Sequence, residues 1–168
     1  MKEKTKILLR RIKTIITIVI VVGVAIHLFM VYDAAKSIKI VDKKIIGVYP
    51  NYLEPDEYDV KFMLSLKNPK KTTIEIDYIK YKVYVEDEFL GEGEKPRFFI
   101  QHGTENYTFL FTFNIMDLVT PVKNILMKGE VNITVKGDTI IPAKFLGLFT
   151  WKYIDLPYEI NEKVKIPI

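Results

Sequence analysis

The chain of 168 residues lacks cysteine and is poor in the side chains that carry most protein chemistry. It has two histidines, His27 and His102, and two serines, Ser37 and Ser65. Without cysteine there is no disulfide, so a folded domain must be held by its hydrophobic core. Zinc sites take four ligands, mostly His and Cys, and nucleophilic serines commonly sit in a Gly-x-Ser-x-Gly turn, which is absent here. The sequence therefore predicts no metal, no cofactor, no catalytic residue and no enzyme.

The acidic and glycine-containing stretches do not supply such a site either. Glu86-Asp87-Glu88 offers carboxylates, but calcium takes about six to eight oxygens, usually from a loop that contains glycine. We therefore predict a solvated hairpin tip there, and the acids at 54, 56, 57 and 59 receive the same interpretation. Gly91 and Gly93 close a hairpin and do not open a helix, so they are not a phosphate-binding loop.

The chain does contain one long run without charge, from Thr14 to Tyr32. As a helix this run would span roughly 28 Å, close to the thickness of the hydrocarbon core of a bilayer. A cleaved signal peptide would have an apolar region of about 7–15 residues and a small-x-small cleavage site, whereas Asp33 follows here. We therefore expect a retained, single-pass transmembrane helix with the lipid bilayer as its partner.

Charges on the two sides of this run predict its orientation. Residues 1–13 carry six Lys or Arg against one acid, whereas four lysines lie near the far side, within 33–44. The positive-inside rule then places the N-terminus inside the cell and the C-terminal domain outside, at the cell membrane. From residue 34 onward 19 basic residues balance 19 acidic ones. The basic pI near 9.0 thus belongs to the tail, and no nucleic-acid partner is expected.

The chain divides into a basic cytoplasmic tail (1–13), the transmembrane helix (14–32), a juxtamembrane connector (33–44) and one outer domain (45–168). In that domain residues 58–67 alternate between apolar and polar and stop at Asn68-Pro69, which is typical of a strand ending in a turn. The next run, 74–86, changes the parity of its apolar residues near Tyr78, which predicts a bulge or bend. Further strands are predicted at 97–101, 107–113, 131–135, 139–143 and 147–160, with a turn at Gly137-Asp138.

Between Asn114 and Lys128 the apolar residues follow a helical spacing instead. Asn114 can cap this helix, Pro121 interrupts it, and Gly129 ends it, so we expect one short or broken helix. The predicted fold class is mainly β: an antiparallel β-sandwich of about seven strands with one short helix, preceded by a single transmembrane helix.

Several segments of the outer domain resemble the type 2 late-embryogenesis-abundant proteins, whose domain is also called the water-stress and hypersensitive-response domain. They are 62–69 (FMLSLKNP), 81–85 (YKVYV) with 90–93 (LGEG), and 126–137 (LMKGEVNITVKG), which together cover about 60–140. Each segment is weak evidence alone, and their order and spacing make the resemblance. Lys70 departs from it, because the family has a second Asn after Asn-Pro.

The resemblance implies a seven-stranded sandwich with one helix, a role in protection against desiccation or other stress, and no enzymatic activity. Membrane-anchored plant members share the layout of a short basic tail, one helix and an outer domain. We therefore predict a non-catalytic surface protein that protects against desiccation or heat. The alternatives are a partner-binding or adhesion module and an accessory subunit of a membrane complex, with unknown protein partners. The expected structural-motif residues are Asn68, Pro69, Gly91, Gly93, Gly129 and Gly137.

Two further features are candidate sites. Asn106-Tyr107-Thr108 and Asn132-Ile133-Thr134 are acceptor sequences for N-glycosylation if the host has the machinery. The run 145–151 (FLGLFTW) is the most apolar stretch outside the membrane helix. A buried strand and corner is the favoured interpretation of this run. The alternative is an exposed patch that touches lipid or a partner, formed by Phe145, Leu148, Phe149 and Trp151.

Overall fold

The computed structural model describes residues 2–51, 53–54, 56–120, 122 and 129–166. It begins with one long helix, α1 (Lys2–Lys36). The part from Lys6 to Lys36 is long and apolar enough to cross a membrane or to act as a signal sequence, and its most apolar window is not buried inside the protein. The apolar side chains of this window therefore have no protein core to face.

Seven strands follow in two antiparallel sheets, which confirms the predicted sandwich. They are β1 (Lys39–Pro50), β2 (Glu57–Asn68), β3 (Ile74–Val85), β4 (Glu88–Ile100), β5 (Gly103–Asn114), β6 (Glu130–Phe145) and β7 (Phe149–Lys165). The smaller sheet has the order β1-β2-β5, and the larger one has the order β4-β3-β6-β7.

The core lies between the sheets and follows the period-two pattern of the strands. In β2 the side chains of Val60, Phe62, Leu64 and Leu66 are completely buried. Phe62 stacks on Phe109 of β5 with ring centroids 4.8 Å apart. Aliphatic side chains of β3 and β6 close the core from the other sheet: Ile76, Ile79, Val83, Val85, Val131, Ile133 and Val135.

Several elements are longer than the sequence predicts. β1 already begins at Lys39, inside the stretch assigned to the connector, and β4 occupies 13 residues where a short strand at 97–101 is expected. The prediction of a turn at Gly137-Asp138 is wrong, because both residues lie within the uninterrupted strand β6. The buried parity of β3 does change between Ile76 and Ile79. The register shift between β3 and β4, however, lies between Val83 and Tyr84.

Of the helix expected from Asn114 to Lys128, the structure describes residues 114–120 and 122, and Leu118 and Val119 among them are not helical. Asn114 caps a short 3-10 turn, Ile115–Asp117, by accepting a hydrogen bond from the Met116 backbone N–H at 2.8 Å. Pro121 and residues 123–128 lie outside the described residues.

The favoured interpretation of the run 145–151 as buried core is wrong. Residues 146–148 form the tip of the β6–β7 hairpin, and the large apolar side chains there are exposed, with Leu148 at 81%. The tip lies outside the sandwich because β6 and β7 stay paired beyond Ile140, the last residue of β6 that pairs with β3. The turn between them therefore lies next to α1.

Candidate functional site

The end of α1 is packed into the sandwich, and this junction is the candidate site. Val31, Ala34, Ala35 and Ile38 follow the i, i+3, i+4, i+7 spacing of one helical face. Ala35 and Ile38 are each 3% exposed and belong to the domain core, while Val31 and Ala34 pack against it. The helix and the domain therefore share one hydrophobic core.

Polar and aromatic contacts strengthen the same junction. The Asp33 carboxylate accepts from the Lys70 ammonium at 2.6 Å, a pair that joins α1 to the turn after β2. The Lys152 ammonium of β7 lies 5.0 Å from the centre of the Tyr32 ring, and the Trp151 ring lies 6.0 Å from it.

His27 makes the contact that lies deepest in the apolar run. Its Nε2 accepts a hydrogen bond from the Leu146 backbone N–H at 3.0 Å, and its ring meets the Phe145 ring edge-on at 5.4 Å. This contact ties the hairpin between β6 and β7 to the apolar run of α1.

A cavity of about 530 Å³ lies between α1 and the sandwich. Its wall includes His27 and Met30 of the helix, Phe99 of β4, and the Lys144–Glu75 ion pair, which is 2.6 Å long. Glu75 also accepts from Arg97 at 3.0 Å. Glu75 thus lies between two cations, and Arg97 also pairs with Asp77 at 3.2 Å.

The predicted structural-motif residues occupy turns and close backbone approaches. Asn68 is fully buried, and its Nδ2 donates to the Thr72 and Ile100 carbonyls at 2.8 and 3.3 Å. Its Oδ1 accepts from the Lys70 N–H at 2.9 Å, which closes the turn that contains Pro69.

The glycines permit close packing of rings. A Cβ on Gly91 would meet the Phe111 ring at 2.8 Å, and one on Gly93 would overlap the Tyr81 ring. Gly137 is covered in the same way by the Tyr158 ring and the Lys80 carbonyl. Gly129 has a φ of 84° directly before β6.

The two candidate glycosylation sites differ in their surroundings. Asn106 is exposed on β5, although its Oδ1 accepts from the Ser65 hydroxyl at 2.7 Å. Asn132 is half-buried in β6, and Thr134 of the same acceptor sequence is only 3% exposed. The structure therefore leaves Asn106 more accessible than Asn132.

Within the part of the chain that the structure describes, no group of three or more His, Cys, Asp or Glu is placed to hold a metal ion. The acids at the predicted hairpin tip have a structural role instead. Glu86 and Asp87 form the two-residue turn between β3 and β4, with φ of 46° and 67°. The Glu86 carboxylate accepts from the Asn132 N–H at 2.8 Å.

Sequence reasoning missed the junction because it placed residues 33–44 in a connector. The spacing of Val31, Ala34, Ala35 and Ile38 was visible and predicts one apolar helical face beyond the membrane run. The contacts of this face with residues more than 30 positions away could not be read from the sequence.

Three solved structures with the same fold cover most of this chain. The solution structure of a protein from Arabidopsis thaliana is 14% identical with a TM-score of 0.57, and the match covers 78% of this chain and 85% of that one. A crystal structure of a protein from Archaeoglobus fulgidus is 10% identical with a TM-score of 0.52, over 77% and 99% of the two chains. The solution structure of a protein described as late embryogenesis abundant is 18% identical with a TM-score of 0.50, over 75% and 71%.

No curated protein matches the chain in sequence. The family model described as late embryogenesis abundant protein, however, matches residues 63–153, which is more than half of the chain. This range runs from the middle of β2 into β7. It contains the turn at Asn68, Gly91 and Gly93 of β4, and the β6–β7 tip. On this match and its sandwich fold, the chain belongs to the type 2 late embryogenesis abundant family.

Proposed function

We propose that this protein is a non-catalytic, single-pass membrane protein whose sandwich protects the cell surface during water or heat stress. Membership of the late embryogenesis abundant family supports the stress-related role. The observation that carries the membrane role is the junction, in which the end of an unburied apolar helix is built into the core of the domain.

The junction also favours a retained helix over a cleaved leader. Cleavage near Ala35 would cut a buried residue out of the core and remove Asp33, the partner of Lys70. It would also expose the apolar surface that Val31 and Ala34 now cover. A leader that is removed has no need of such contacts.

The anchor and its orientation are tested in one experiment on intact cells. We expect the chain to remain with the membranes after an alkaline carbonate wash, because roughly 28 Å of apolar helix leaves the bilayer only at a large cost. Protease added outside should remove the sandwich and spare the basic tail. Release by carbonate would reject the anchor, whereas full protection of the sandwich until lysis would reverse the orientation.

The protective role is tested with dye-loaded vesicles that are dried and rehydrated. Vesicles that carry the full chain should lose less dye than vesicles that carry only residues 2–36, because the second set has the anchor without the sandwich. Equal leakage from the two sets would contradict protection by the domain.

A partner-binding module is the second candidate, and the exposed β6–β7 tip is the observation that favours it. Recovery of one defined protein with the full chain from host membranes, lost when the tip is made polar, would support this candidate. The same recovery would support the accessory-subunit alternative only if α1 were also required.

A further inference from the structure

The β6–β7 hairpin tip has the surface of an element that lies in lipid. Leu146, Leu148 and Phe149 are 62%, 81% and 56% exposed, and no charged residue lies between Lys144 and Lys152. A tight turn in water normally uses Asn, Asp or Gly. The opposite end of the same sheet turns at the two acids Glu86-Asp87, whereas this tip has one glycine, Gly147, in the left-handed region with φ of 71°. Here Leu146 occupies the left-handed region with φ of 49°.

The position of the tip against α1 sets its depth. The Leu146 N–H meets His27, which lies five residues inside the apolar run measured from Tyr32. At about 1.5 Å per residue this contact lies about 7–8 Å below the level of Tyr32. Asp33, Lys70 and Lys152 are at or above that level, since they contact Tyr32 or pair with its neighbour. Lys144 lies nearer the tip and is neutralised by its ion pair with Glu75 at 2.6 Å.

The helix cannot slide outward to lift the tip into water. Moving His27 to the membrane surface would draw Lys13, Arg11 and Arg10 from the other end into the hydrocarbon layer, where charged side chains are strongly disfavoured. The rings of Tyr32 and Trp151, 6.0 Å apart, lie above the tip at the level of these charges, which is where aromatic belts lie in membrane proteins.

We propose that the β6–β7 tip inserts into the membrane leaflet that faces the sandwich. This proposal rests on the proposed membrane span of α1. Leu146, Leu148 and Phe149 contact acyl chains, and Trp151 lies at the interface. The tip is a second attachment that fixes the tilt of the sandwich on the bilayer. Because residues 34–168 carry no net charge, this insertion does not require anionic lipid.

Trp151 is the only tryptophan, so its fluorescence reports on this site directly. The full chain is reconstituted in phosphatidylcholine vesicles that contain lipid brominated near the top of the acyl chains. We expect the bromolipid to quench Trp151 at least about twofold, and aqueous iodide to quench it weakly. Quenching by iodide without quenching by bromolipid would overturn the proposal. Shielding from both quenchers would also overturn it and would indicate cover by a second copy or another protein.

A matched pair of substitutions separates the tip from general effects. Phe149 is 56% exposed, and its ring centre lies 5.4 Å from that of Phe145. Phe89 is 53% exposed, and its ring centre lies 5.5 Å from that of Tyr84. Phe89 lies at the other end of the sheet, about 35 Å from Phe149 when measured along β6. Phe149→Asp should reduce bromolipid quenching at least about twofold, and Phe89→Asp should leave it unchanged. Equal quenching in both variants would contradict the proposal.

The same vesicles distinguish a failed tip from a failed anchor. After an alkaline wash the chain should float with the vesicles whether or not the tip inserts. A chain that floats but shows no bromolipid quenching would overturn the tip and leave the anchor standing. A chain that does not float would overturn both, and the wild-type measurement decides this even if a variant fails to fold.

Discussion

At the scale of single residues, Asn68 shows how one buried amide holds a turn. Its amide nitrogen donates to the carbonyls of Thr72 and Ile100, and its oxygen accepts from the Lys70 N–H. Both polar atoms of this side chain are therefore hydrogen-bonded. The Asn-Pro pair therefore does more than end β2, because it also ties the β2–β3 turn to the end of β4.

We predict that Asn68→Leu and Asn68→Asp both destabilise the sandwich, by about 2–4 kcal/mol, because buried backbone groups lose their partners. The aspartate variant keeps the acceptor but places an oxygen against two carbonyls, so shape alone cannot rescue it. Denaturant unfolding of the full chain in detergent measures the effect, with the exposed Asn161→Asp as control. A stable Asn68→Asp variant would contradict the assigned hydrogen bonds.

Tyr158 is a residue whose ionisation should limit stability at high pH. It is 6% exposed and donates to the Lys80 carbonyl at 3.2 Å. Burial first, and then the neighbouring Tyr81 and Asp138, raise the pKa of its hydroxyl well above 10. Burial likewise raises the pKa of Tyr81. The folded state thus keeps a proton that the unfolded chain loses above pH 10.

The contribution of these tyrosines to the free energy of unfolding should therefore be constant below about pH 10 and fall above it, by about 1.4 kcal/mol per pH unit for each such tyrosine. Tyr158→Phe should fall less steeply above pH 10, after a loss of about 1 kcal/mol at neutral pH for its hydrogen bond. Denaturant midpoints between pH 7 and 11 test this. Parallel curves for the two proteins would show that Tyr158 does not carry the effect.

At the scale of elements, β6 is the strand that the sequence describes least well. Gly137-Asp138 has the composition of a turn, yet it lies mid-strand, where Gly137 pairs with both Tyr81 and Tyr158. A glycine is needed there because the Lys80 carbonyl and the Tyr158 ring occupy the space of a side chain. The conformational freedom of glycine is not what this position uses.

We predict that Gly137→Ala destabilises the sandwich by about 3 kcal/mol, because the added methyl meets a backbone carbonyl that cannot rotate away. Gly23→Ala in α1 is the control, since no atom lies within 4 Å of the added Cβ. Thermal unfolding of the two variants in the same detergent compares them. If Gly137 were in a flexible turn, its substitution would be as mild as the control.

The strands with regular alternation could be predicted from the sequence, and the exceptions have physical reasons. β2 alternates because one face meets the core along its whole length, as the burial of Val60 to Leu66 shows. The exposure of the β6–β7 tip could not be predicted, because an apolar run is compatible both with a buried strand and with an exposed patch that contacts lipid or a partner. The structure places it beside His27, a contact that spans 119 positions in the chain.

At the scale of the whole molecule, the helix and the sandwich form one unit. Ala35 and Ile38 are core residues that belong to the end of α1 and to the residue before β1. A division after residue 32 or 44 can be drawn from hydropathy and charge, but the packing crosses both points. The reason is that the apolar face of the helix continues one turn beyond the membrane run.

Two fragments without the membrane run, residues 36–168 and residues 31–168, differ only in the last turn of α1. Both should fold as monomers, since the sandwich has its own buried core, but the shorter one lacks Ala35 and the cover provided by Val31 and Ala34. We expect it to be less stable by about 1–3 kcal/mol, the scale of burying a few methyl groups. In the longer fragment Ala35→Gln should reproduce this loss, and Lys36→Gln, at an exposed neighbour, should not. Equal denaturant midpoints for the two fragments would show that the sandwich is independent of α1, and the junction would then be a contact without a share in stability.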